Sequence, residues 1–199
     1  MNPIPYPRKK AARRKKKATE AKSEDQVQAK LIAEIRRRLP GVPTIVNPHS
    51  SQRKNMTPAA AARIAQYNYT QGFEEGQADV ILPHCRKYPN TPAFEFVGLC
   101  VELKTEKEDP FRKSKAGYWI DTSVKRDLPG VPTKGAAHAQ RQAFFLHKMR
   151  ENGHFATFAA GEAQALAVLD WYLDRKLLEF EKYEFDYNLE KCWIWKIKS

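Results

Sequence analysis

The chain has 199 residues and a formal net charge of +12, of which 8 charges lie in Arg8–Lys17; 12 less 8 leaves +4 on the remainder. That length suits one domain with a tail, and the basic surplus favours a polyanionic partner, most simply nucleic acid. No stretch approaches the length of a transmembrane span, and three cysteines (Cys85, Cys100 and Cys192) with neither ligand spacing nor a pairing pattern point to a reducing, intracellular compartment.

In chain order, residues 1–22 read as a disordered basic arm. Arg8, Lys9, Lys10, Arg13, Arg14, Lys15, Lys16 and Lys17 are its candidate phosphate contacts. Ser23-Glu-Asp-Gln26 is a capping box, so a helix is expected from there to about Leu39, stopped by Pro40-Gly41, with Val27, Leu31 and Ile35 as its buried stripe. Glu24 and Gln28 share a face beside that stripe. A short strand is expected at Thr44–Val46, then a polar loop with Arg53 and Lys54, then an alanine-rich helix from Thr57-Pro58 to about Thr70 carrying Arg63.

Gly76-Gln-Ala-Asp79 leads into the strand Val-Ile-Leu82, and Phe94–Lys104 reads as the central strand. Side chains alternate along a strand, so Glu102 and Lys104 share one face while Val101 and Leu103 enter the other layer. If the Asp79 strand lies antiparallel beside this one, an aspartate, a glutamate and a lysine meet at one point. Two carboxylates make a hard oxygen site for Mg²⁺ or Mn²⁺, and a lysine beside them can hold or activate a water and offset phosphate charge.

Residues 105–135 form an irregular charged insertion in which Lys107, Arg112 and Lys113, with Tyr118 and Trp119, suit either backbone gripping and base stacking or a solvated loop. An amphipathic helix is expected over Ala136–Glu151, with Gln142 in its early turns and Asn152-Gly153 closing it. A strand at His154–Ala159 and a helix at Gly161–Arg175 follow. The alternating, aromatic Phe180–Lys198 reads as a terminal hairpin.

Asp followed by Glu-x-Lys on the next strand is the signature of the PD-(D/E)xK nuclease superfamily. The ordered set of signals resembles its VRR-NUC branch over roughly Glu24–Leu173. The set comprises Glu24 and Gln28, Asn47-Pro48, Gly76-x-x-Asp79, Val101-Glu102-Leu-Lys104, Gln142 with Phe144-Phe-Leu, and Asp170-Trp-Tyr172-Leu173.

The resemblance implies a nuclease domain over 23–175 of restriction-endonuclease-like α/β class, a mixed sheet flanked by helices, with residues 176–199 as a hairpin extension. It implies metal-dependent DNA hydrolysis. Asp79, Glu102 and the Leu103 carbonyl would hold Mg²⁺ or Mn²⁺, Lys104 would position or activate water, Glu24 would add an acid, and Gln142 would orient the lysine or a phosphate. Glu102→Ala and Lys104→Ala are each expected to abolish cleavage with the fold largely intact. A twofold homodimer would supply two sites for a branched substrate. The residues leave open a non-catalytic DNA-binding protein on the same scaffold and an RNA-directed nuclease.

Overall fold

The computed structural model describes residues 23–46, 77–89, 93–114, 117–118, 134–187 and 189–198. The basic arm, Asn47-Pro48, Arg53, Lys54, the 57–70 helix with Arg63, Gly76 and Trp119 lie outside the described residues.

Helix α1 (Glu24–Arg38) opens with the expected capping box: Gln26 N–H donates to Ser23 Oγ, while Ser23 N–H donates to Gln26 Oε1 at 3.0 Å. Val27, Leu31 and Ile35 are buried on it, at one- and two-turn spacing. Strands β1 (Ile45–Val46) and β2 (Val80–Leu82) pair antiparallel. The run expected as one strand from Phe94 to Lys104 divides at Val97. Its first part, β4 (Phe94–Phe96), pairs with β3 (Arg86–Lys87), and its second, β5 (Gly98–Lys104), enters the main sheet. A 3-10 turn (Glu106–Glu108) and the small strands β6 (Lys113–Ser114) and β7 (Gly117–Tyr118) occupy the described part of the insertion. Then come α2 (Lys134–Glu151), β8 (His154–Ala160), α3 (Gly161–Asp174), β9 (Phe180–Tyr187) and β10 (Glu190–Ile197).

The main sheet has six strands in the order β1-β2-β5-β8-β10-β9. Its middle pairs, β5 with β8 and β8 with β10, are parallel, and the outer pairs are antiparallel. The terminal hairpin is therefore no appendage: β10 continues the sheet beside β8, with Trp195 opposite Thr157.

Two apolar layers cover the sheet. On one face Leu99, Val101, Leu103 and Phe155 pack with Val27, Leu31 and Ile35 of α1 and with Val168, Leu169 and Tyr172 of α3. On the other, Cys100, Ala156 and Phe158 pack with Ala143 and Leu146 of α2 and with Cys192 and Ile194. All seven residues of β5 are buried, as a central strand of a two-sided sheet requires. The class expected from the sequence, a mixed sheet flanked by helices, is the one observed.

Two glycines set connections. Gly153 has φ +82 where α2 turns into β8, and Gly161 has φ +77 at the start of α3, where a Cβ would sit 2.7 Å from Glu106 Cγ.

At the far end of α1, Arg38 bridges helices. Its guanidinium lies 2.7 Å from Glu34, 2.6 Å from Asp170 and 2.8 Å from Asp174. Hydrogen bonds first from Arg37 and then from Arg38 lower the Glu34 carboxyl from 4.5 to about 2. A carboxyl lowered on folding stabilises the fold above its unfolded value and loses that contribution as pH falls through the folded one. The Tm difference between wild type and Glu34→Gln is therefore expected to be largest above pH 4.5 and to shrink as the solution is acidified toward pH 2. A difference that widened on acidification would contradict this reading; added salt should reduce it, since the pair is partly solvated.

Candidate active site

Asp79 immediately precedes β2, and β2 pairs antiparallel with β5 through Val80 opposite Val101 and Leu82 opposite Leu99. Extending that register sets Asp79 level with Glu102. Its carboxylate turns onto the neighbouring strand, where Oδ2 accepts a 2.8 Å hydrogen bond from the Leu103 N–H. Asp79 is 6% exposed and Glu102 1%. Alternation puts Glu102 and Lys104 on the same face of β5 as Cys100, toward α2.

Lys104 Nζ donates to Glu102 Oε1 at 2.6 Å and lies 3.6 Å from Glu24 Oε1. Gln142, buried on α2, donates its Nε2–H to the same Oε1 of Glu102. The resemblance assigned Gln142 to the lysine or a phosphate; its observed partner is the glutamate. Glu24 comes from the first turn of α1. One turn on, Gln28 donates to the Asp79 backbone carbonyl at 3.0 Å and so fixes the entry of β2. Gln28 was placed beside Glu24 by helical spacing; its role in holding Asp79 follows from the tertiary contact alone.

The cluster is electrostatically unbalanced. Burial, then the Asp79 carboxylate, pushes Glu102 well above the ordinary carboxylate range, against the pull of Lys104. Burial disfavours the Lys104 ammonium, but Glu102, Glu24 and Asp79 outweigh it and raise the lysine, so the retained cation is the state the geometry supports. Three carboxyl groups share one ammonium in a low-dielectric site, and burial together with this crowding is what disfavours the ionised Glu102.

Among the described residues, two buried polar atoms of this cluster lack a hydrogen-bond partner: Glu102 Oε2 and Gln142 Oε1. Buried oxygens are rarely left so without an ion or water to satisfy them. An orphaned carboxylate oxygen beside a second carboxylate, with charge to neutralise, fits a hard divalent cation.

Of the remaining candidates, Lys107 lies in the exposed 3-10 turn, Arg112 is exposed just before β6, and Lys113 belongs to the β6 backbone. None of these is shown in contact with the Asp79–Glu102–Lys104 cluster.

No protein-family model matches the chain, and no curated protein does. Among solved structures, one described as a VRR_NUC domain protein aligns with a TM-score of 0.43 and 18% identity, covering 78% of this chain and 91% of its own. At that depth the likeness carries no weight for fold or chemistry, which rest on the geometry above. No helix among the described residues is long and apolar enough to cross a membrane.

Proposed function

We propose that the chain is a metal-dependent nuclease of VRR-NUC type that hydrolyses DNA phosphodiester bonds. The observation that carries this reading is the meeting of Asp79, Glu102 and Lys104 at adjacent strand positions, with one buried Glu102 oxygen unsatisfied. Asp79 and Glu102 are the residues that would hold Mg²⁺ or Mn²⁺. The Leu103 carbonyl is the proposed third ligand: N–H and C=O of one strand residue leave on the same side, and this N–H already faces Asp79. A bound divalent ion would supply charge stabilisation at the phosphate and a more acidic water.

The chain's own groups do the rest. Lys104, anchored by Glu102 and Glu24, presents N–H donors to a water or a phosphate oxygen. Gln142 fixes the Glu102 carboxylate so that one oxygen stays with the lysine and the other is open to a ligand. Gln28 holds the Asp79 backbone. The basic arm supplies sequence-independent grip on the polyanion.

The test is a cleavage panel of duplex, nicked, flapped and four-way DNA and of RNA, with Mn²⁺, with Mg²⁺ or with EDTA. Product with either metal and none with EDTA is expected. Tight binding without product under every condition would instead establish a non-catalytic DNA-binding protein, and cleavage confined to RNA would reassign the substrate.

A further inference from the structure

A second cluster of ligand atoms lies where the helix of Gln142 meets β10, and the nuclease reading does not use it. His147, Glu190 and Cys192 each offer an atom within 4.8 Å of the others. They come from two elements at the spacings that put side chains together. His147 and Glu151 are one turn apart on α2, and Glu190 and Cys192 are two apart on one face of β10. His147 and Cys192 are each 2% exposed, whereas the Glu190 side chain is 43% exposed at the rim.

Among the described residues, His147 Nε2 is buried without a hydrogen-bond partner, although Glu151 Oε1 lies 3.5 Å away and Glu190 Oε1 3.6 Å away. Nδ1 stands 3.2 Å from the Trp193 carbonyl. Donating a proton there leaves the Nε2 lone pair aimed at the two carboxylates, the arrangement in which imidazole ligates a metal. Arg150 Nη2 at 3.2 Å and Trp193 N–H at 3.4 Å approach the same Nδ1. If Nδ1 accepts from them instead, the ring proton sits on Nε2, so metal binding would select between tautomers.

Two further contacts reach the cluster. Cys192 Sγ donates to the Glu190 carbonyl at 3.5 Å. Lys148 Nζ, on a half-exposed side chain, pairs with Glu190 at 2.6 Å and with Glu151 at 3.2 Å.

We infer that His147 Nε2, Cys192 Sγ and a Glu190 carboxylate oxygen form a structural zinc site that clamps the C-terminal hairpin to α2, with Glu151 as the nearest further oxygen. Mixed nitrogen, sulfur and oxygen donors select a borderline-soft ion such as Zn²⁺ over Mg²⁺. Tetrahedral zinc sets one sulfur, one nitrogen and one oxygen donor about 3.3–3.6 Å apart, so the widest pair must close by at most about 1.2 Å. On binding, the Cys192 thiol proton passes to solvent, the sulfur binds as thiolate, and Lys148 swings off the carboxylates.

The full chain, stripped by chelator, is titrated with Co²⁺ as a spectroscopic stand-in and with Zn²⁺ alone. One equivalent of Co²⁺ is expected to give a thiolate-to-metal charge-transfer band. The band is lost in Cys192→Ser and kept in Cys85→Ser and in Glu102→Gln. Zn²⁺ is expected to raise the Tm of wild type but not of Cys192→Ser, while Mg²⁺ produces neither the band nor this Cys192-dependent Tm rise. Glu190→Gln, a rim substitution that leaves the buried His147 packing in place, should weaken Zn²⁺ binding at least about tenfold. No band at saturating Co²⁺, or a band undiminished in Cys192→Ser, overturns the site.

Discussion

Lys104→Met is expected to lower metal-dependent cleavage by about a thousandfold or more, and Glu102→Gln and Asp79→Asn to do the same, measured as single-turnover rates on whichever substrate the panel identifies. The three should differ in stability. Alanine at Glu102 or Lys104 looks benign from the sequence, but Glu102 is 1% exposed and hydrogen-bonded to a lysine that is itself 8% exposed. Removing one partner of such a pair costs about 3–5 kcal/mol, reduced to the extent that Glu102 takes up a proton once the ammonium is gone. Glutamine at 102 keeps the shape and an acceptor oxygen, and so separates chemistry from folding.

Asp79→Asn should behave oppositely in the absence of metal. Its carbonyl oxygen can still accept from the Leu103 N–H, and the substitution removes a charge that disfavours the ionised Glu102. The metal-free variant is expected to melt no lower than wild type while being inactive, a trade of stability against function. A metal-free Asp79→Asn several degrees less stable than wild type would show that this carboxylate serves the fold. Full activity in any of the three would remove that residue from the mechanism.

Phe155→Ala is expected to be the most damaging single truncation on the opposite face of the sheet, at about 3–5 kcal/mol. Phe155 is 1% exposed on β8. Its ring packs at 4.4 Å from Trp171, 4.8 Å from Phe180, 5.3 Å from Phe96 and 6.1 Å from Trp195, centroid to centroid. These partners belong to α3, β9, β4 and β10, so one ring joins four elements, and the cavity left behind has no single flexible neighbour to fill it. For a domain of this size the loss corresponds to a Tm drop of roughly 6–20 °C. Thermal unfolding followed by tryptophan emission reports it directly, since Trp171 and Trp195 line the cavity. A loss below about 1 kcal/mol would mean that the cluster repacks.

What the chain determined by itself was local. The Ser23–Gln26 box, the Val27, Leu31 and Ile35 stripe, the Gly153 turn and the shared face of Glu102 and Lys104 all follow from interactions within a few residues, and periodicity and capping chemistry state them without reference to the rest of the molecule. The antiparallel approach of Asp79 to the Glu102 strand was legible because the two segments are close in sequence and carry compatible patterns.

Only the tertiary structure decided the rest. It placed β5 between an antiparallel and a parallel neighbour, and it carried the C-terminal hairpin into the same sheet beside β8. It turned Gln142 toward Glu102 rather than Lys104, and it brought Cys192 against His147 from 45 residues away. Such pairings are fixed by closing long loops around a shared apolar layer. Their selection depends on how α2, β8 and β10 pack together, which no spacing along the chain encodes.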